Sequence, residues 1–248
     1  MSIYQAVKNI CVRYNDNHFE TGLQYANIAA PIRTIWMKNQ AKKIPPKSKV
    51  LDIGAGMCPY KKLFDHCKYT THDFAQYSGT KTGPAADEWN YGHIDVVSDI
   101  NNIPVENNSF DVIVCTEVFE HIPEPIKAIK EFSRILKKGG KLLLSAPLAS
   151  GLHQEPYHFY GGFTPHFYKK FLSESSFKNV IIKPEGGLFR HVAQEIYRVG
   201  AELGQREKKH RLFGWILRNI ITKIVWDLEK TIYVTEFTAG YMVEATKI

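Results

Sequence analysis

Apolar residues along the middle of the chain come in short continuous runs, separated by stretches with helical spacing. Lys49–Ile53, Tyr69–His72, Ile94–Val97, Phe110–Cys115 and Lys141–Ser145 read as strands, and FDVIVC and KLLLS are apolar almost throughout. Val180–Lys183 and Gly240–Thr246 add a sixth strand and a closing edge strand. Between them, Tyr60–His66, Pro125–Leu136 and Thr164–Ser175 are predicted as helices, and KKGG is read as the close of the second. Residues 3–44 are predicted mainly helical, stopped by Pro45 and Pro46. The Gly- and Pro-rich residues 75–93 read as a loop. Strands apolar on both faces and alternating with helices imply an α/β fold around a mostly parallel seven-stranded sheet.

Residues 188–232 interrupt this rhythm as a helical insertion. Phe213, Leu217, Ile220, Ile224 and Leu228 fall at helical spacing, flanked by Arg218, Lys223 and Lys230, downstream of REKKHR at 206–211. Two readings stand: the face packs on the domain or on a second subunit as a homodimer, or segment 206–230 meets an anionic membrane or a lipid-linked substrate.

Composition narrows the classes. With 248 residues, 44% of them hydrophobic, the chain suits one α/β domain with an appendage. MSIYQAVKNI lacks the apolar core of a signal peptide, and no run approaches the roughly 18 apolar residues of a spanning helix. Cys11, Cys58, Cys67 and Cys115 show no CxxC spacing and suit reduced thiols of a cytoplasmic protein. The +7 charge permits nucleic acid as a partner, but finger spacings and RNA-binding strand signatures are missing from the sequence.

The chemistry gathers at predicted strand ends. VLDIGAG ends the first strand, Asp73 the second, Asp99 follows the third and Glu117 the fourth. Gly54 and Gly56 permit a sharp turn and close approach of backbone to a ligand. Asp73 lies about 20 residues beyond the loop, where a carboxylate can accept ribose hydroxyls. Cys58 and Pro59 stand where a dinucleotide fingerprint wants another glycine, which argues against a pyrophosphate ligand.

The ordered series VLDIGAG, Asp73, Asp99-Ile100, FDVIVCTEVFEHI and LKKGGKLLLSAP resembles the class I S-adenosylmethionine-dependent methyltransferases. The resemblance implies a Rossmann-like three-layer sandwich. It divides the chain into an N-terminal helical cap (1–44), a cofactor-binding core with a lid at 148–163 (45–187), the insertion (188–232) and a closing strand (233–248). It implies S-adenosyl-L-methionine held by Asp52, Gly54, Ala55, Gly56, Asp73, Phe74, Asp99, Ile100 and Thr116. Asp52 would serve the amino end, Asp73 the ribose, and Asp99 with Ile100 the adenine.

Methyl transfer needs an aligned nucleophile, excluded water and, for a hydroxyl acceptor, a base. His158, His153 and His121 are the candidate bases. Glu117, Glu120 and His121 share one helical face, and a later histidine, His158 or His153, could complete a divalent-ion site; with His158, the better positional match, they resemble the ExxEH-plus-histidine site of metal-assisted O-methyltransferases. Mg2+ or Mn2+ there would lower the acceptor's pKa. The same Glu-His pair also occurs in methyltransferases without metal. Tyr157, Phe159, Tyr160 and Phe163, with Gly161 and Gly162 as hinges, suggest an aromatic lid, or equally fixed core rings; Tyr14, His18, Phe19 and Tyr25 suggest a second wall. The expected function is O-methylation of a small molecule or glycan precursor. A lipid-linked acceptor, an RNA 2′-hydroxyl and a non-catalytic scaffold are the alternatives.

Overall fold

The computed structural model describes residues 29–79, 89–206 and 208–248; Cys11, Tyr14, His18, Phe19 and Tyr25 lie outside them. The chain forms two units, Arg33–Glu185 with Gly240–Ile248, and Gly186–Ala239 with Met1–Ile32.

The first unit holds a seven-stranded sheet in the order β3-β2-β1-β4-β5-β7-β6. Its strands are β1 (Lys49–Ile53), β2 (Lys68–Asp73), β3 (Val96–Val97), β4 (Phe110–Thr116), β5 (Leu136–Pro147), β6 (Phe177–Pro184) and β7 (Gly240–Lys247). β1 pairs in parallel with β2 and β4, β2 with β3 and β4 with β5; β7 runs antiparallel between β5 and β6. The expected α/β, mostly parallel architecture is the one observed. The strand order reverses between β1 and β4, so a crevice opens at their carboxyl ends.

Helix α1 (Ala29–Ala41) precedes the sheet, α2 (Pro125–Ile135) links β4 to β5, and α3 (Pro165–Glu174) precedes β6. α2 starts with proline at its first turn, where the missing N–H is harmless, and buries Ala128, Ile129, Phe132 and Ile135. These join Leu51, Ile113, Leu142, Leu144 and Val243 from the sheet in one core. KKGG does not cap α2. The helix ends at Ile135, Leu136 returns its N–H to Phe132, and KKGG already belongs to β5. The expected helix at Tyr60–His66 shortens to a 3-10 turn at Lys61–Phe64 that buries only Phe64.

The second unit contains α4 (Leu188–Arg206), α5 (Arg211–Ile216), a π-helical turn (Leu217–Ile221) and α6 (Thr222–Leu228). Among the described residues, no helix is long and apolar enough to cross a membrane.

Candidate active site

β1 delivers Asp52 to the crevice, and the chain then turns with Gly54 at φ +69 and Gly56 at φ +50. Both positions demand glycine for space as well as angle. A Cβ on Gly54 would collide with Val118, and one on Gly56 would lie 2.9 Å from the Trp89 ring. Cys58 also has positive φ, +56, so the turn continues through a non-glycine residue.

Asp73 fastens this loop to β2. One carboxylate oxygen accepts the Gly56 N–H at 2.9 Å and the other the Ala75 N–H at 3.0 Å. Each oxygen keeps a further acceptor direction. Asp52 is buried and accepts the Tyr69 hydroxyl. Burial pushes its pKa up to about 7, opposed by Tyr69 and reinforced by Asp73. Asp99 caps its own turn by accepting the Asn101 N–H at 2.8 Å.

A cavity of 740 Å³ occupies the crevice. All nine residues expected to hold the cofactor line it: Asp52, Gly54, Ala55, Gly56, Asp73, Phe74, Asp99, Ile100 and Thr116. Tyr77, Trp89 and Tyr91 add a chain of edge-to-face rings along the same wall.

Glu117, Arg33 and His121 line the same cavity, directly after Thr116 in the case of Glu117. Glu117 follows β4 at φ +54, a strained angle for a side-chain-bearing residue. Its Oε1 accepts the Ser145 hydroxyl at 2.9 Å and lies 2.9 Å from Arg33 Nη1. Arg33 also meets Glu185 at 3.2 Å and donates Nε–H to the Tyr60 hydroxyl at 3.3 Å. Burial alone would lower the guanidinium's pKa, but Glu117 and Glu185 more than reverse that. Glu185 is pushed up to about 8 by burial and by Glu117, against Arg33. Glu120, packed away from water, is pushed well up for the same two reasons. Near neutral pH burial thus holds Glu185 and Glu120 toward their neutral forms.

The three candidate histidines lie together, with ring centres 4.5 to 5.7 Å apart. His121 Nδ1 lies 2.7 Å from the Tyr157 carbonyl, so it carries the proton and leaves the lone pair on Nε2. Burial, then His153 and His158, lower its pKa to about 4, leaving the ring neutral at physiological pH. His158 is engaged on both sides: Nδ1 accepts the His153 N–H at 3.1 Å, and Nε2 lies 2.8 Å from the Tyr160 carbonyl. Of the three, His121 lines the cavity.

The four residues of the ExxEH-plus-His158 pattern are not brought together as a set. Glu117 turns to Arg33, and His158 is occupied by backbone. Glu120, His121 and His153 instead place one ligand atom each within 4.8 Å of one another. Glu120 Oε2 is buried without a hydrogen-bond partner, as a carboxylate awaiting a cation would be. The His121–Tyr157 bond supplies the outer support that fixes a metal-binding tautomer. This donor set fits a divalent ion.

In the lid, Tyr157 and Phe159 line the cavity, whereas Phe163 is 4% exposed and packs on Phe119 and Phe167. The Phe159 and Tyr160 N–H groups bond to the Glu120 carbonyl. Gly162 is a point of close contact: a Cβ there would strike the Leu148 carbonyl.

Residues 26–181 match the family described as "Methyltransferase domain". This chain belongs to that family. Its fold is the Rossmann-like one of the class I S-adenosylmethionine-dependent methyltransferases. The chain is 25% identical over 185 residues to a sarcosine/dimethylglycine N-methyltransferase of Halorhodospira halochloris, covering 69% of this chain and 65% of that protein. It is 29% identical over 116 residues to a demethylmenaquinone methyltransferase of Staphylococcus haemolyticus (strain JCSC1435), covering 44% and 48%. The chain thus spans less than two thirds of the length of either relative. A SAM-dependent methyltransferase structure from Archaeoglobus fulgidus superposes with a TM-score of 0.50 at 16% identity, covering 87% of this chain and 94% of that one, and supports the fold.

Arg33 and Glu185 are the site residues that sequence reasoning missed. They are 152 residues apart and meet only in the fold. Glu185, a buried acid just after β6, carries no local motif.

Proposed function

We propose that the chain transfers the methyl group of S-adenosyl-L-methionine to a small polar acceptor, with a hydroxyl as the attacking group. One observation carries this reading: a single cavity is lined by all nine expected cofactor residues together with Glu117 and neutral His121. The donor sulfonium needs no further activation. The chain's part is to hold the acceptor in line, exclude water with Tyr157 and Phe159, and take the hydroxyl proton. Glu117 Oε1 is occupied, so Oε2 and the His121 Nε2 lone pair are the acceptors for that proton.

Glu120, His121 and His153 would hold a divalent ion, His121 through Nε2, which would leave Glu117 Oε2 as the acceptor for the proton. Two imidazoles with one carboxylate suit Mn2+ or Zn2+ better than Mg2+. Such an ion would polarise the acceptor oxygen. A second reading, an amine acceptor, is favoured by the amine named in the Halorhodospira relative. The Staphylococcus relative's name supports a quinone precursor.

Calorimetry with S-adenosylhomocysteine, followed by labelled-methyl transfer to hydroxylated and amine panels, tests the reading. Cofactor binding with label on hydroxyl compounds is expected. Label confined to amines replaces the hydroxyl reading, and no cofactor binding makes the chain a scaffold. Thorough chelation lowers transfer if the ion takes part; full activity afterwards removes it.

A further inference from the structure

Of the sixteen exposed large apolar side chains among the described residues, eight lie between 186 and 239. That segment is less than a quarter of the chain, so its apolar exposure is concentrated. The helix from Arg211 to Leu228 explains part of it. One side meets α4 at a glycine crossing, where a Cβ on Gly200 or Gly214 would lie 2.7 Å from the other's carbonyl oxygen. Thr222 is buried on the same helix. Ile224 and Leu228 share another face by helical spacing and are 55% and 40% exposed; Phe213, ahead of the π-helical turn, is 55% exposed. Of the stripe expected from the sequence, Phe213, Ile224 and Leu228 stay exposed, whereas Leu217 and Ile220 are half-buried.

Charge indicates what covers it. Residues 206–230 hold seven Lys or Arg against three Asp or Glu, a net +4 of the chain's +7. A symmetric contact with a second copy would set +4 against +4, and such like-charge contact opposes association. Nucleic acid would satisfy the charge but leave Phe213 and Ile224 in water. An anionic bilayer answers both, with apolar side chains at the acyl boundary and basic groups at phosphate level. The helix is too short and polar to cross.

We infer that the helix Arg211–Leu228 is a peripheral docking surface for an anionic lipid bilayer, with Phe213, Ile224 and Leu228 as its apolar contacts. The inference is independent of the acceptor's identity.

The full-length chain is floated with vesicles of phosphatidylglycerol and phosphatidylcholine, and with phosphatidylcholine alone. At least tenfold more protein is expected on the anionic vesicles, with binding weakened by salt. The double variant Phe213→Glu/Ile224→Glu lowers that binding at least tenfold while circular dichroism and S-adenosylhomocysteine affinity stay unchanged. Should that variant not fold, quenching of wild-type tryptophan emission by brominated phosphatidylglycerol decides, because interfacial burial requires it. Three results overturn the inference: a wild type that neither floats nor is quenched, equal flotation of a folded double variant, or a wild-type dimer that the double variant dissociates.

Discussion

Asp73 and Glu117 each stand at the carboxyl end of a parallel strand and line the same cavity, yet they are held in different ways. Asp73 is tied to backbone N–H groups 17 and 2 residues away. Glu117 is tied to the side chains of Ser145, 28 residues away, and of Arg33 on α1. Asp73 is thus held by short local turns and backbone donors. Glu117 depends on long-range side-chain ion pairing. The first arrangement tolerates sequence change around it as long as the glycines and the acid remain. The second can be re-tuned by one distant substitution, which suits the part of an enzyme that must fit a particular acceptor.

The comparison breaks most visibly at Arg33. Arg33→Met leaves Glu117 and Glu185 without their cation and is expected to cost about 3–5 kcal/mol, measured as a lower denaturation midpoint. Arg33→Lys keeps the charge and costs less. An unchanged midpoint in Arg33→Met would mean the triad is not coupled as described. Gly54→Ala combines a left-handed backbone angle with collision against Val118, for a loss of about 2–3 kcal/mol. S-adenosylhomocysteine affinity should fall at least tenfold in calorimetry.

Asp73→Ala sharpens the contrast. It frees the Gly56 N–H of the glycine loop and the Ala75 N–H just past β2, costing about 2 kcal/mol of S-adenosylhomocysteine affinity. Glu117→Gln should leave that affinity within about threefold while lowering methyl transfer. Equal losses in the two variants would erase the distinction between Asp73 and Glu117.

The smallest effect concerns pH. The Asp52 carboxyl titrates near 7 because burial disfavours its charge. A cationic amino end favours the ionised form, so cofactor affinity should rise with pH below 7, by at most about tenfold per unit, and level off above. Asp52→Asn should flatten the profile, and a flat wild-type profile would remove Asp52 from contact with the amino group.

Much of this site was legible before the fold was known, because the expected cofactor residues are written in contiguous stretches. VLDIGAG, Asp73 and Asp99 each follow a run of strand-forming residues, and parallel pairing places every such strand end at one edge of the sheet. Spacing alone misassigned KKGG as a helix cap: a glycine pair after a helix looks alike whether it ends the helix or begins the next strand. The ExxEH pattern suggested four ligands, but φ +54 at Glu117 breaks the single helical face that the pattern assumed. The amphipathic pattern at 213–228 announced a helix, while its partner depended on what α4 left uncovered.

The sequence by itself determined the strand periodicity, the turns that only glycine can make and the acids at strand ends, since these follow from each residue's neighbours. Tertiary structure alone decided that Arg33 meets Glu117 and Glu185, that His153 rather than His158 approaches Glu120 and His121, and that Phe163 joins the core. Those choices depend on residues far apart in the chain sharing a low-dielectric space, where pairing a charge or filling a volume outweighs any local preference.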